Sequence, residues 1–199
     1  MNTTQITVRS NGDGVREAVQ ATEKLGLEAG LNKKEVLRLQ LLAEELLGMM
    51  QNIAGEVEAD YKVEQEDKSY RIILDSRIDM TKEMRKTLLS VSSTGENEAA
   101  KGFMGKLKDM ITASLLPSES GPSALSMGLM TMGSPSTYTS SENLNWSMAE
   151  YVNSVKSSKG EDAEAAWDEL EKSITASIAD DIRIRIKGSH VVITMMKTF

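Results

Sequence analysis

Residues 179–199 read ADDIRIRIKGSHVVITMMKTF. Ile182, Ile184 and Ile186 alternate with Arg183, Arg185 and Lys187. In an extended chain that period of two makes one face apolar and the other cationic. Gly188-Ser189 carries turn chemistry, and VVITMM resumes the strand pattern, so the stretch reads as a hairpin. A strand with one apolar and one charged face belongs to a sheet covered on one side only. Helices must supply that cover.

Residues 31–55, LNKKEVLRLQLLAEELLGMMQNIAG, offer the first covering helix. Asn32 is a suitable N-cap, and Glu35 three residues later completes a capping box. Val36, Leu39, Leu42, Leu46, Met49 and Ile53 form an apolar stripe at helical spacing. Leu37 and Leu41 widen it, which predicts a well-buried helix. Glu44, Gly48 and Asn52 fall at i, i+4 and i+8 and share another face. That polar stripe reads either as a wall of a site or as a helix surface on which Gly48 lets a neighbour approach closely.

Other segments follow the same two periods. TTQITVRS predicts a first strand, and a helix is expected from Asp13 or Gly14 to about Leu27. Tyr61 and Val63, then Tyr70, Ile72 and Leu74, flank Glu66-Asp67-Lys68-Ser69 and predict a hairpin. Met80, Met84 and Leu88 suggest a helix, and another is expected over Ala99–Leu116 before Pro117 ends it. Residues 117–145 are rich in small and turn residues, with Met127, Met130 and Met132 embedded, and read as a lid-like or inserted loop. Trp146–Val155 and Asp162–Ile178 read as two further helices, with Trp146 and Tyr151 anchoring the first to the core. Hairpins separated by helices predict an α+β two-layer α/β sandwich, with helices on one face of a mixed, mostly antiparallel sheet. We take residues 1–199 as one domain, with the region about 117–160 inserted or lid-like.

Composition narrows the setting. With 23 Lys plus Arg against 30 Asp plus Glu, the formal charge is -7. No basic cluster suited to neutralising phosphates stands out, which argues against nucleic acid as a partner. The chain has no cysteine, so disulfides, thiol nucleophiles and cysteine metal sites are excluded. The start, MNTTQITVRSNGDG, lacks a signal-peptide pattern, and no apolar run is long enough for a membrane span. The expected location is cytoplasmic. His190, the sole histidine, borders a turn, and no Ser-His-Asp constellation is visible. The acidic run over residues 161–171 reads as a solvated helix face.

The element order and several stretches resemble the ATP-binding domain of gyrase, heat-shock chaperones and histidine kinases, the GHKL or Bergerat fold. The likeness is closest to small bacterial anti-sigma serine kinases. LRLQLLAEELLGMMQNIAG resembles their N-box helix, in which an acid is followed four residues later by a magnesium-binding Asn. LEKSITASIADDIRIRIKGSHVVITMMKTF resembles their last helix and final hairpin, including an "ADD" turn. YRIILDSRID lies where the family has a strand leading into an adenine-binding turn. The resemblance covers the chain apart from roughly residues 117–160 and implies the following roles. Glu44 matches the acid and would be the base or water-positioning residue. Asn52 would be a metal ligand displaced by one turn, and Asp75 would read adenine beside Asp79. Gly102 and Gly105, with Lys101 and Lys106, would stand in for a phosphate-binding loop.

Departures from the pattern shape the expected function. Gly48 occupies the magnesium-ligand position and offers no side-chain ligand. Ser76-Arg77-Ile78-Asp79 lacks the family's glycines, and AEAAWDELEKSI replaces its second glycine motif. The expectation is a regulatory protein-interaction module of anti-sigma type, with weak or lost binding of ATP and magnesium and with a sigma factor or antagonist as partner. An active serine kinase or ATPase with a rearranged site is the alternative. A homodimeric scaffold using the sheet or the 117–145 loop is the third reading.

Overall fold

The computed structural model describes residues 2–51, 56–78, 102–115 and 143–199. Expected features at Asn52, Asp79, Lys101, the helix around Met84 and the methionine-bearing loop lie outside the described residues. In chain order the elements are β1 (Asn2–Arg9), α1 (Val15–Glu28), α2 (Lys33–Gln51), β2 (Glu58–Glu66) and β3 (Ser69–Arg77). There follow α3 (Phe103–Leu115), β4 (Asn143–Ser147), α4 (Met148–Ser157), α5 (Glu161–Lys172), α6 (Ile174–Ile178), β5 (Asp181–Lys187) and β6 (His190–Thr198).

The strands form one six-stranded sheet in the order β1-β2-β3-β6-β5-β4. Every neighbouring pair is antiparallel. Alternation along each strand sends Tyr61, Ile72, Leu74, Ile184 and Ile193 into the core, while Arg183, Arg185 and Lys187 are exposed. The described helices cover the apolar face, so the molecule is an α+β two-layer sandwich. The C-terminal hairpin turns at Gly188, whose φ of 59° suits a residue without a Cβ.

Helix α2 begins as its sequence requires. Asn32 Oδ1 accepts from the amides of Lys34 and Glu35, and Glu35 Oε2 accepts from the Asn32 amide at 2.8 Å. This reciprocal box fixes the helix start. Leu39, Leu42, Ala43, Leu46 and Leu47 then line the core side. Leu37 departs from expectation: it is 55% exposed, and Leu41 is half-buried, so the buried stripe is narrower than the leucine count suggests.

Two boundaries also differ. Trp146 sits in strand β4, opposite Ile184, rather than opening a helix. Leu144 and Trp146 face the core while Asn145 is exposed, a period of two too short to stand out beside the helix that follows at once. The expected helix over residues 162–178 breaks at Ser173, whose hydroxyl accepts from the Ala176 amide and starts α6. A serine side chain competes with the helix for backbone donors and favours such a restart.

Candidate functional site

Glu44 lies on α2 one turn before Gly48, both away from the stripe that packs on the sheet. Its side chain is exposed. Gly48 is half-buried, and a Cβ placed on it meets no atom within 4 Å. The expectation that this glycine admits a close neighbour is therefore corrected: the space beside it is open.

Asp75 is set by strand alternation. Leu74 and Ser76 point into the core, so Asp75 points out of the opposite face. There its Oδ1 lies 2.7 Å from His190 Nε2, because β3 and β6 pair with Arg77 opposite His190. Asp60 and Asp75 are directly opposite across β2 and β3, and with Arg77 and His190 they border an open hollow of about 300 Å³. Glu44 and Asp75 thus stand on opposite sides of the sheet and line no common pocket.

Where the end of α2 meets β3, the described residues pack closely. Met49, Met50, Leu74, Ile111 and Ile193 close around a space of about 10 Å³, close to the volume that one water's centre needs. Gly102 precedes α3 and Gly105 lies within it. A Cβ on Gly102 would also meet nothing. Lys106 Nζ reaches Glu169 Oε2 at 2.5 Å, so this cation ties α3 to α5.

The acidic run forms the exposed side of α5, which buries Ala163, Ala166 and Leu170. Between α4 and α5 an open groove of about 560 Å³ is lined by Val155, Lys156, Ala163 and Trp167. Lys156 Nζ lies 5.4 Å from the Trp167 ring centre, and Trp167 Nε1 donates to Glu171 at 2.7 Å. No group of three His, Asp or Glu residues is placed to hold a metal ion among the described residues.

The "ADD" turn is structural. Asp180 accepts from the Thr198 amide and Lys197 Nζ, holding the end of β6. Asp181, 7% exposed, accepts from Ser147 Oγ, the Ala149 amide and Arg183 Nε. It thereby joins β5 to the start of α4. Nearby, Phe103, Trp146 and Tyr151 pack with ring centres 5.9–6.3 Å apart. Burial pushes the Tyr151 hydroxyl up to about 12, and the charge of Glu169 adds to the shift. Tyr61 is likewise raised by burial, against a hydrogen bond with Thr22 that lowers it.

The structure brings together Glu44 with Gly48, Gly102 with Gly105, and Asp75 with His190. The last pairing, the Asp181 cap and the Lys106–Glu169 link were not foreseen. Compared with protein-family models, curated proteins and solved structures, the chain matches none.

Proposed function

We propose that this chain is a divergent GHKL-type domain of the Bergerat fold acting as a regulatory protein-interaction module. By the resemblance its partner is a sigma factor or an antagonist, and its setting a bacterial cytoplasm. Binding of ATP and magnesium is weak or lost. The observation that carries this reading is the close packing where α2, β3 and α3 meet, which leaves about 10 Å³ among the described residues. Phosphoryl transfer depends on positioned metal and phosphate contacts, and ligand pockets generally need some 300 Å³ or more. The placement of Glu44 and Asp75 on opposite sides of the sheet agrees with it. So does the engagement of Lys106 by Glu169. For the location, the absence of cysteine and of any membrane-length apolar helix among the described residues are both compatible.

Titration calorimetry with ATP and magnesium, then with ADP alone, tests the reading. No heat of binding is expected, and no rise in melting temperature. A bound nucleotide at about a hundred times its Kd would add about 2.7 kcal/mol of stability, which a thermal melt resolves easily. A purified sigma factor or antagonist from the same cell should form a complex without nucleotide. One observation favours the active alternative: Glu44 is exposed on its helix and thus accessible as a base. Under that reading Glu44→Ala abolishes turnover of ATP in the presence of the partner, whereas the module reading expects no turnover to abolish.

A further inference from the structure

Four large apolar side chains stand exposed among the described residues: Leu27, Leu37, Trp167 and Ile174. Leu27, Leu37 and Ile174 are each more than half exposed, and all three lie at one end of the helix layer. A Cβ on Gly26 of α1 would sit 3.4 Å from Val36 and 3.6 Å from Leu39 of α2, so the last turn of α1 is level with the first turns of α2. Ala18 and Thr22 of α1, and Leu39 and Leu46 of α2, mark the buried sides of these helices. Leu27 and Leu37 fall on the opposite sides and point away from the sheet. Leu41, one turn after Leu37, is half-buried and extends the stripe.

Ile174 joins them through the topology. Helix α1 starts beside Thr7 and runs back past Tyr61 toward the end of the sheet where β1 begins. Asn2, Gln65, Tyr70 and Lys197 form the row at that end, next to the Asp181–Met196 pair where β5 begins. Helix α6, which carries Ile174, leads directly into β5 and packs beside α2.

We propose that this end of the helix layer is a docking surface for an anionic lipid bilayer, which the chain touches peripherally through Leu27, Leu37 and the cations around them.

Four cations and three carboxylates lie within one turn of the two leucines. Lys24 pairs with Glu28 at 3.8 Å. Glu35 turns back to the Asn32 amide at 2.8 Å, at the positive end of the α2 dipole. Lys33, Lys34 and Arg38 are exposed and have no ion-pair partner among the described residues, with only the half-buried Glu23 left to oppose them. Near Ile174 the charges are already engaged: Lys172 pairs with Asp168, and Glu171 accepts from Trp167 Nε1. Glu44 and Glu45 lie about 10 Å further along α2 from Leu37, so a bilayer meets the end of the helix pair and not its whole length.

The shape favours a lipid plane over a protein segment. None of Leu27, Leu37 and Ile174 lines the grooves and hollows described above, so these side chains face no described cleft that a partner helix or strand would enter. Leucines that stand out of a surface can enter the headgroup boundary, while long basic side chains beside them reach anionic headgroups along flexible stems. So small a patch gives weak, reversible contact. The inference goes beyond the regulatory reading and does not rest on it, since it uses neither the α2–β3 junction nor any nucleotide.

Flotation of the full chain with lipid vesicles tests the proposal. Phosphatidylcholine with about one-third phosphatidylglycerol presents the anionic surface, and phosphatidylcholine alone the neutral one. The chain should float with the first and stay behind with the second. Salt raised from about 50 mM to about 500 mM should release it. Replacing Lys33, Lys34 and Arg38 together by Gln should weaken binding about a hundredfold, since each cation near such a surface contributes about a factor of five. Leu27→Gln combined with Leu37→Gln should weaken it about tenfold. All five positions are exposed and Gln is a good helix former, so circular dichroism and melting should match the parent. Leu37→Trp should keep the binding, and its emission over the parent's should shift to the blue on anionic vesicles only. A chain that ignores anionic vesicles overturns the proposal and leaves the patch to a protein partner. Equal binding to both kinds of vesicle overturns it too, as does binding that either set of Gln variants leaves unchanged. Self-association without lipid, lost in the leucine variants, would give the patch to a second copy and likewise overturn it.

Discussion

Gly14 and Gly48 both stand beside or within helices, and their surroundings assign them opposite roles. Gly14 has a φ of 75°, and a Cβ there would lie 2.3 Å from the carbonyl oxygen of Thr7. Gly14→Ala should cost about 2 kcal/mol or more, since the left-handed backbone alone costs about 1–2 kcal/mol. Gly48→Ala places its methyl in open space. It should stabilise the protein by roughly 0.5–1 kcal/mol through the unfolded chain's lost freedom. For a chain of this size that is a rise of about 1–4 °C in melting temperature. A fall on Gly48→Ala would show that the glycine is needed for more than its helix position. Tyr151 makes the other prediction at this scale. Its folded-state value of about 12 exceeds the ordinary value of 10, so the neutral form is favoured in the folded chain. Its contribution is fully present below pH 10 and disappears as pH rises toward 12, where the unfolded state gains by losing the proton first. Melting temperature should therefore fall through that window. In Tyr151→Phe, which has no proton to lose, the fall should be shallower.

Among the elements, α4 depends on a residue from a distant strand. Asp181 gives its carboxylate to Ser147 Oγ, the Ala149 amide and Arg183 Nε, while 7% exposed. Asp181→Ala leaves a helix-start amide and a hydroxyl without their acceptor and should cost about 2–3 kcal/mol in urea denaturation. Ser147→Ala, which removes only one of those partners, should cost about half as much. A cost for Asp181→Ala no larger than that of an exposed substitution would mean that water replaces the carboxylate. The same elements mark what the sequence could express. β5 is readable because three isoleucines alternate with three cations, and α2 because Asn32 and Glu35 spell its cap. β4 is not, since Leu144 and Trp146 alone carry its alternation before Ser147 caps a helix. The candidate site suffered more. Its residues were legible singly, but the pairing of Asp75 with His190 follows from strand register between segments 115 residues apart. Local pattern does not encode such register.

For the molecule as a whole, the proposed loss of nucleotide affinity has two candidate causes, one missing ligand or a missing pocket. The two causes separate experimentally. Gly48→Asn restores an amide at the position where the resembled helix holds its metal, in space that is open. If one ligand were the whole defect, this substitution alone would bring back binding of ATP and magnesium. The packing argues otherwise. Ile111, 1% exposed, closes the junction together with Met49, Met50 and Leu74 around about 10 Å³. Ile111→Ala should cost about 2–5 kcal/mol, and the void it leaves falls far short of the roughly 300 Å³ of a ligand pocket. Neither Gly48→Asn, nor Ile111→Ala, nor the two combined should yield heat with ATP and magnesium. Flat titrations from all three agree with the proposed function, in which no single residue accounts for the weak or lost binding. Binding by Gly48→Asn alone would place the defect in a single residue and would leave the helix as a site that one substitution can reopen.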